Sequence, residues 1–176
     1  IALCDTVTHY PDSLQKVLDL DKFIWMCAFN NVLCNIDSYI GVYSQNYYLY
    51  RSVEGKFMAI PWDYNLSFGA FNNIGFQDRL DAITTTERQQ LPLNIHSTDE
   101  YWPMLVNIYN NSRWLKMYLA HAKTIYTENF ENDTYLTSAT FWKNKATQSV
   151  GADQNKFFSF EDFTNGMTSD YAVNGY

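Results

Sequence analysis

Two short β-prone stretches meet at a tight turn inside a sequence that otherwise has helical periodicity. Residues 47–50 are aromatic and aliphatic, residues 56–60 form the returning stretch, and Gly55 lies in the turn between them. A β-hairpin brings the residue before its first strand close to the residue after its second strand. The pattern therefore predicts a hairpin with Asn46 and Asp63 facing each other at its open end.

Helical patterns lie on both sides of this hairpin. Apolar residues between Phe23 and Leu33 cover most of a helix surface, which predicts a deeply buried helix with Asp19 or Asp21 as its cap. The stretch 71–98 is irregular and is predicted to be a loop over a cleft. Further helices are predicted at about 99–109, 114–126, 133–150 and from Ser159 onward. The sequence therefore predicts an α+β fold that is mainly helical, with one central β-hairpin.

Charge and apolar content restrict the class of protein. The chain has 12 basic and 19 acidic side chains, a net charge of −7, which argues against a nucleic-acid partner. Hydrophobic residues make up 47% and aromatic residues 18%, enough to form a core. The longest wholly apolar run, Phe23 to Phe29, is far shorter than the roughly 20 residues that cross a bilayer. No membrane span is therefore expected.

The spacing of the three cysteines, Cys4, Cys27 and Cys34, does not indicate a disulfide framework. Their odd number leaves at least one thiol unpaired. Seven residues separate Cys27 from Cys34, and in one helix this spacing is about 10 Å, beyond the roughly 7 Å reach of a disulfide. Both are predicted to be small apolar core residues on one helix face.

Polar side chains flank the predicted hairpin in a suggestive order. Asp37 lies on the loop that leads in, Asn46 precedes the first strand and Asp63 follows the second. Magnesium prefers hard oxygen ligands, commonly one or two carboxylates together with the phosphates of a nucleotide. Protein kinases place a catalytic Asp, a metal-binding Asn and a metal-binding Asp in this order along the chain. The order predicts metal and phosphate chemistry at the open end of the hairpin.

The same segment resembles a known family in several motifs. The motifs are Asn35-Ile36-Asp37, Asn46-Tyr47-Tyr48-Leu49-Tyr50, Gly55-Lys56-Phe57 and Pro61-Trp62-Asp63-Tyr64-Asn65-Leu66-Ser67-Phe68-Gly69. Together they resemble the CotH kinase family, kinase-like proteins first known from bacterial spore coats. The resemblance spans residues 21–69, and the helical remainder is similar only in its general pattern.

The resemblance implies a role for each polar residue. It implies that Asp37 is catalytic and orients or deprotonates the acceptor hydroxyl. It implies that Asn46 and Asp63 hold Mg²⁺ or Mn²⁺ against the phosphates of ATP, with Asn65 as a further metal ligand. The implied activity is phosphoryl transfer from ATP to a hydroxyl of a protein substrate. The implied location is extracellular, or at the cell or spore surface.

The sequence departs from the family pattern in two ways. Asn65 stands where the family usually has a second Asp, and an amide oxygen brings no charge, so Mg²⁺ affinity should fall. Only 36 residues precede Asp37, and none of them is glycine. The prediction is therefore a single partial domain over residues 1–176, with a catalytic segment at 35–69 and a helical remainder at 99–170. A nucleotide-binding N-terminal lobe is predicted to be absent.

Two other functions stay open. The first is a catalytically weak pseudokinase or structural surface or spore-coat module, which keeps the fold with less metal charge at Asn65. The second is a carbohydrate- or surface-binding domain, favoured by the Tyr and Trp content. Trp62 is predicted to lie in the core. His9, His96 and His121 have no metal-ligand spacing and are predicted to be surface or packing residues.

Overall fold

The computed structural model describes residues 2–75 and 82–169. The fold is mainly helical with one two-stranded antiparallel sheet, which confirms the α+β prediction. The helices are α1 Ala2–His9, α2 Leu14–Val17, α3 Leu20–Val32, α4 Thr85–Gln89, α5 Pro103–Asn110, α6 Ser112–Ile125, α7 Thr134–Ala152 and α8 Phe160–Asn165. The strands are β1 Tyr47–Arg51 and β2 Phe57–Pro61. A 3₁₀ turn, Pro11–Ser13, precedes α2, and a π-helical turn, Tyr126–Phe130, follows α6.

The chain divides into two compact units, Ile1–Tyr126 and Thr127–Tyr176. The first contains the hairpin and helices α1 to α6, and the second contains α7 and α8. The assignment of the whole chain to one partial domain stays a prediction. None of the described helices is long and apolar enough to cross a membrane.

Helix α3 forms the centre of the first unit. Its cap is Asp19, whose carboxylate accepts the Lys22 backbone N–H at 3.3 Å, and a cap of this kind contributes about 1 kcal/mol. Ile24, Cys27 and Ala28 are completely buried. The helix packs against α6 and β2, so the hairpin is held directly on the core. The predicted buried helix and its Asp19 cap are confirmed.

Strands β1 and β2 form the predicted hairpin. Tyr47 pairs with Pro61 and Tyr48 pairs with Ile60 in an antiparallel register. Ala59 faces inward and is buried, whereas Tyr48 and Ile60 are exposed on the opposite side. Successive strand side chains point to opposite faces, so one face of the hairpin lies on the core and the other faces solvent.

Two packing predictions are wrong. Trp62 is 58% exposed rather than buried, because it follows β2 on the outer side of the hairpin. Its ring lies edge-on to that of Tyr48, with 5.8 Å between the centroids. Cys34 lies beyond the end of α3 and is only half buried, with a left-handed φ of 47°. It therefore does not share a helix face with Cys27, which is buried as predicted.

The stretch predicted to be irregular, 71–98, contains the short helix α4. A capping box begins this helix: the Thr84 hydroxyl accepts the Glu87 backbone N–H at 3.3 Å, and the Glu87 carboxylate accepts the Thr84 backbone N–H at 2.7 Å. The capping box of Thr84 and Glu87 is a local sequence signal from which this helix could have been predicted. The part of the loop prediction at residues 76–81 lies outside the described residues.

The second unit begins its helices where the sequence predicts. Helix α7 starts at Thr134, and α8 starts at Phe160 after a capping box formed by Ser159 and Asp162. The Ser159 hydroxyl accepts the Asp162 backbone N–H at 3.0 Å, and the Asp162 carboxylate accepts the Ser159 backbone N–H at 2.8 Å. These bonds satisfy donors that would otherwise be unpaired at a helix start.

Candidate active site

Asp37 is a buried carboxylate on the loop between α3 and β1. Its side chain is held by two amides: Gln45 Nε2 donates to Oδ1 at 2.7 Å, and Asn46 Nδ2 donates to Oδ2 at 3.0 Å. The same Asn46 nitrogen also lies 2.7 Å from the Asp37 main-chain carbonyl oxygen. These donors compensate for the burial of the carboxylate and fix its orientation.

Asn46 and Asp63 occupy the open end of the hairpin, as predicted. The Trp62 backbone N–H donates to the Asn46 carbonyl at 2.9 Å, one step beyond the strand pairs, and exposed Asp63 follows directly. Asn46 and Asp63 have left-handed φ angles of 59° and 53°. Asn and Asp adopt this region more readily than most residues, and such strained backbones cluster at functional sites.

Asn65 lies exposed in the turn that follows Asp63. Two backbone bonds attach this turn to the end of α3: the N–H groups of Phe68 and Gly69 donate to the carbonyls of Leu33 at 2.7 Å and Cys34 at 3.1 Å. Among the hydrogen bonds of the described residues, none joins the side chain of Asp63 or Asn65 to Asp37. The structure thus brings Asp37 into contact with Asn46, and places Asp63 and Asn65 after the hairpin end without a direct bond to that pair.

Gln45 is a residue of the candidate site that sequence reasoning missed. Its amide accounts for one of the two side-chain bonds that hold the Asp37 carboxylate. The available signal was its position immediately before Asn46. Adjacent residues on one loop can both reach the Asp37 carboxylate, as Gln45 and Asn46 do here.

The chain from residue 35 to residue 41 forms a tight coil that is buried at every position. The Ser38 hydroxyl donates to the Asn35 carbonyl at 2.6 Å, and the Gly41 N–H donates to the Ser38 carbonyl at 3.1 Å. A Cβ at Gly41 would lie 1.6 Å from the Ile36 carbonyl oxygen. Glycine is therefore required where the coil closes on itself.

Two aromatic side chains from distant positions reach the same loop. The Trp102 indole N–H donates to the Tyr39 carbonyl at 2.9 Å, and His96 Nε2 lies 3.0 Å from the Ile40 carbonyl oxygen. Burial lowers the pKa of the His96 imidazole, an effect partly offset by the Ile40 carbonyl and by Asp99. His96 is a buried packing residue, one of the two roles that the sequence predicts for it.

The oxygen atoms at the open end of the hairpin are of the kind that magnesium binds. Asp63 carries a carboxylate and Asn46 and Asn65 carry amide oxygens, the kind of hard ligand that Mg²⁺ takes together with substrate phosphates. Asn46 bonds to Asp37 through Nδ2, which leaves its Oδ1 available to a cation. Within residues 2–75 and 82–169, no three His, Cys, Asp or Glu side chains gather as a metal-binding group. The protein ligands would then be the carboxylate of Asp63 and the amide oxygens of Asn46 and Asn65.

The order of Asp37, Asn46, a short hairpin and Asp63 is that of a kinase-like catalytic segment. The sequence profile of the CotH kinase protein family matches residues 2–174, nearly the whole chain. The chain belongs to this family and contains a kinase-like domain. The match extends well beyond residues 21–69, which carry the resemblance in the sequence. Comparison with curated proteins and with solved structures gives no significant match.

Proposed function

We propose that the chain is part of an atypical protein kinase that transfers phosphate from ATP to a protein hydroxyl with Mg²⁺ or Mn²⁺. The observation that carries this proposal is the hydrogen-bonded pair of Asp37 and Asn46 at the hairpin end, where Asp63 follows the second strand. Membership of a kinase family supports it. A location outside the cell, or at the cell or spore surface, belongs to the same proposal.

Each residue has one task in this proposal. Asp37 orients the acceptor hydroxyl and accepts its proton, and its carboxylate is held in place beforehand by Gln45 and Asn46. Asp63 and Asn46 hold the metal ion, with Asn65 as a further ligand. Bound Mg²⁺ would supply charge that stabilises the transferring phosphoryl group. Asp63 is exposed, so its carboxylate is accessible to a metal–nucleotide complex.

The test is phosphoryl transfer by the full-length protein, measured with labelled ATP and a protein acceptor. Asp37→Asn should lower the transfer rate by on the order of 10²- to 10⁴-fold, because a neutral amide cannot accept the hydroxyl proton. Affinity for ATP with Mg²⁺, measured by calorimetry, should change little. The control is Asp12→Asn, which makes the same replacement at a surface position. Unchanged transfer by Asp37→Asn would reject the catalytic role.

The second candidate is a catalytically weak pseudokinase or a structural surface or coat module. The observation that favours it is the neutral Asn65 in the turn after Asp63, where a carboxylate would add charge to the metal site. If Asn65 is a ligand, Asn65→Asp should strengthen Mg²⁺-dependent nucleotide binding by about tenfold. Calorimetric titration with ATP at fixed Mg²⁺ measures this change.

The matched control for this variant is Asn132→Asp. Asn132 is also exposed in a turn, and the variant adds the same charge in the second unit. An equal gain in nucleotide affinity in both variants, or no gain in Asn65→Asp, would show that Asn65 is not a metal ligand. A gain in binding without any gain in transfer would favour the pseudokinase.

A further inference from the structure

We propose that Trp102 and His96 are positioning residues for Asp37, which hold its loop through two consecutive main-chain carbonyls. The positioning role rests on the function proposed above, since it concerns the same carboxylate. Neither side chain belongs to the family motifs quoted from the sequence. In the first unit, both reach the loop from the segment around the start of α5.

The two bonds span long distances in the sequence. Trp102 is 63 residues from Tyr39, and His96 is 56 residues from Ile40. The carbonyls of Tyr39 and Ile40 lie inside the buried coil, so water is a poor substitute for the side-chain donors. Loss of either donor would therefore leave a buried carbonyl without this partner and favour a different loop conformation.

The two donors form one rigid group. The rings of His96 and Trp102 are stacked, with 3.5 Å between their centroids and 8° between their planes, and both residues are almost fully buried. Asp99 Oδ2 lies 3.5 Å from His96 Nδ1, and Asp99 Oδ1 accepts the Tyr101 backbone N–H at 3.1 Å. Trp102 is also the N-cap residue of α5, so the helix itself fixes its position.

The main chain between Asp37 and the carbonyls held by His96 and Trp102 has little conformational freedom. Tyr39 is two residues beyond Asp37, and the coil closes one residue after Ile40, where Gly41 meets Ile36. A movement of the Tyr39 or Ile40 carbonyl must therefore be absorbed by the few peptide groups that also carry Asp37.

The test uses Trp102→Phe, which keeps an aromatic ring against His96 but removes the indole N–H. The matched control is Trp114→Phe, because Trp114 is 5% exposed against 4% for Trp102 and lies in α6. Hydrogen–deuterium exchange of backbone amides is followed by mass spectrometry at a temperature well below unfolding. In Trp102→Phe, exchange at residues 38–46 should accelerate about tenfold, while exchange in α3 stays unchanged. Trp114→Phe should leave residues 38–46 unchanged.

His96 provides a second, independent comparison. His96→Leu removes the donor to the Ile40 carbonyl and should accelerate exchange at residues 38–46 in the same way. His96→Gln retains a side-chain N–H that can reach a carbonyl, and it should restore most of the protection. In the full-length protein, Trp102→Phe should lower kcat about tenfold with KM for ATP within about twofold, as expected when only the catalytic group is misplaced.

Several results would overturn the proposal. These are unchanged exchange at residues 38–46, equal acceleration in α3, or failure of both Trp102→Phe and His96→Leu to fold, since the last two indicate a role in global stability alone. Hydrogen–deuterium exchange measures the protection of residues 38–46 in the protein without bound nucleotide. A wild-type protein that transfers no phosphate would therefore reject the proposed kinase function, while the exchange data would still decide whether the two side chains hold the loop.

Discussion

Asp63→Ala should abolish Mg²⁺-dependent ATP binding by the full-length protein and reduce phosphoryl transfer to background. The substitution removes the exposed carboxylate at the hairpin end. Asp37 cannot replace it well, because its buried carboxylate is fixed in orientation by Gln45 and Asn46. The remaining ligands would carry too little available charge for a small divalent cation. Calorimetric titration with ATP, with Mg²⁺ and then with chelator, measures the loss.

Asp133→Ala is a closely matched control for this variant. Asp133 is exposed like Asp63 and has nearly the same φ angle, 52° against 53°. Any general effect of placing alanine in the left-handed region therefore appears in both variants. ATP binding that needs no metal and is unaffected by Asp63→Ala would rule out the proposed mechanism.

The second large effect is expected at Gly41. In Gly41→Ala, the new Cβ would lie 1.6 Å from the Ile36 carbonyl oxygen. Both groups belong to the backbone or are fixed to it, so no change of rotamer relieves the clash and the buried coil must rearrange. We expect a loss of roughly 4 kcal/mol or more in the free energy of unfolding, or failure to fold. Thermal and urea unfolding followed by circular dichroism measure this change.

The same substitution at Gly151 serves as the comparison. Gly151 lies in α7, and the nearest neighbour of a Cβ there is the ring of Phe160, at 3.5 Å, an ordinary contact. Alanine is the better helix former, so Gly151→Ala should raise stability by about 0.5–1 kcal/mol. If Gly41→Ala were as stable as the wild-type protein, the tight closure of the coil on Ile36 would be disproved.

The parts of the site that sequence could predict are those that depend on local pattern. The β-prone stretches and the turn within residues 47–60 predict the hairpin, and the hairpin by itself places Asn46 and Asp63 at one end. The contact between Asp37 and Asn46 follows from their short separation on one loop. In each case the interacting residues are close in the chain, so a local pattern carries the information.

The parts that sequence could not predict depend on distant contacts or on the direction of a side chain. Trp102 and His96 meet the loop across more than 50 residues, and no local pattern encodes that approach. The aromatic character of Trp62 fits a buried core as well as an outer hairpin face, so residue type alone does not determine its exposure. The local ending of α3 likewise removed Cys34 from the predicted helix face.

The bond from the Trp62 N–H to the Asn46 carbonyl has a practical consequence for protein engineering. A bond between peptide groups, rather than between side chains, joins the two chain segments at positions 46 and 62. Substitutions at positions 46 and 63 would leave that contact between peptide groups available, and the left-handed φ angles favour Asn, Asp or Gly among the replacements. Thiolate or imidazole groups introduced there would turn the proposed site of hard oxygen ligands into one that favours softer transition metals.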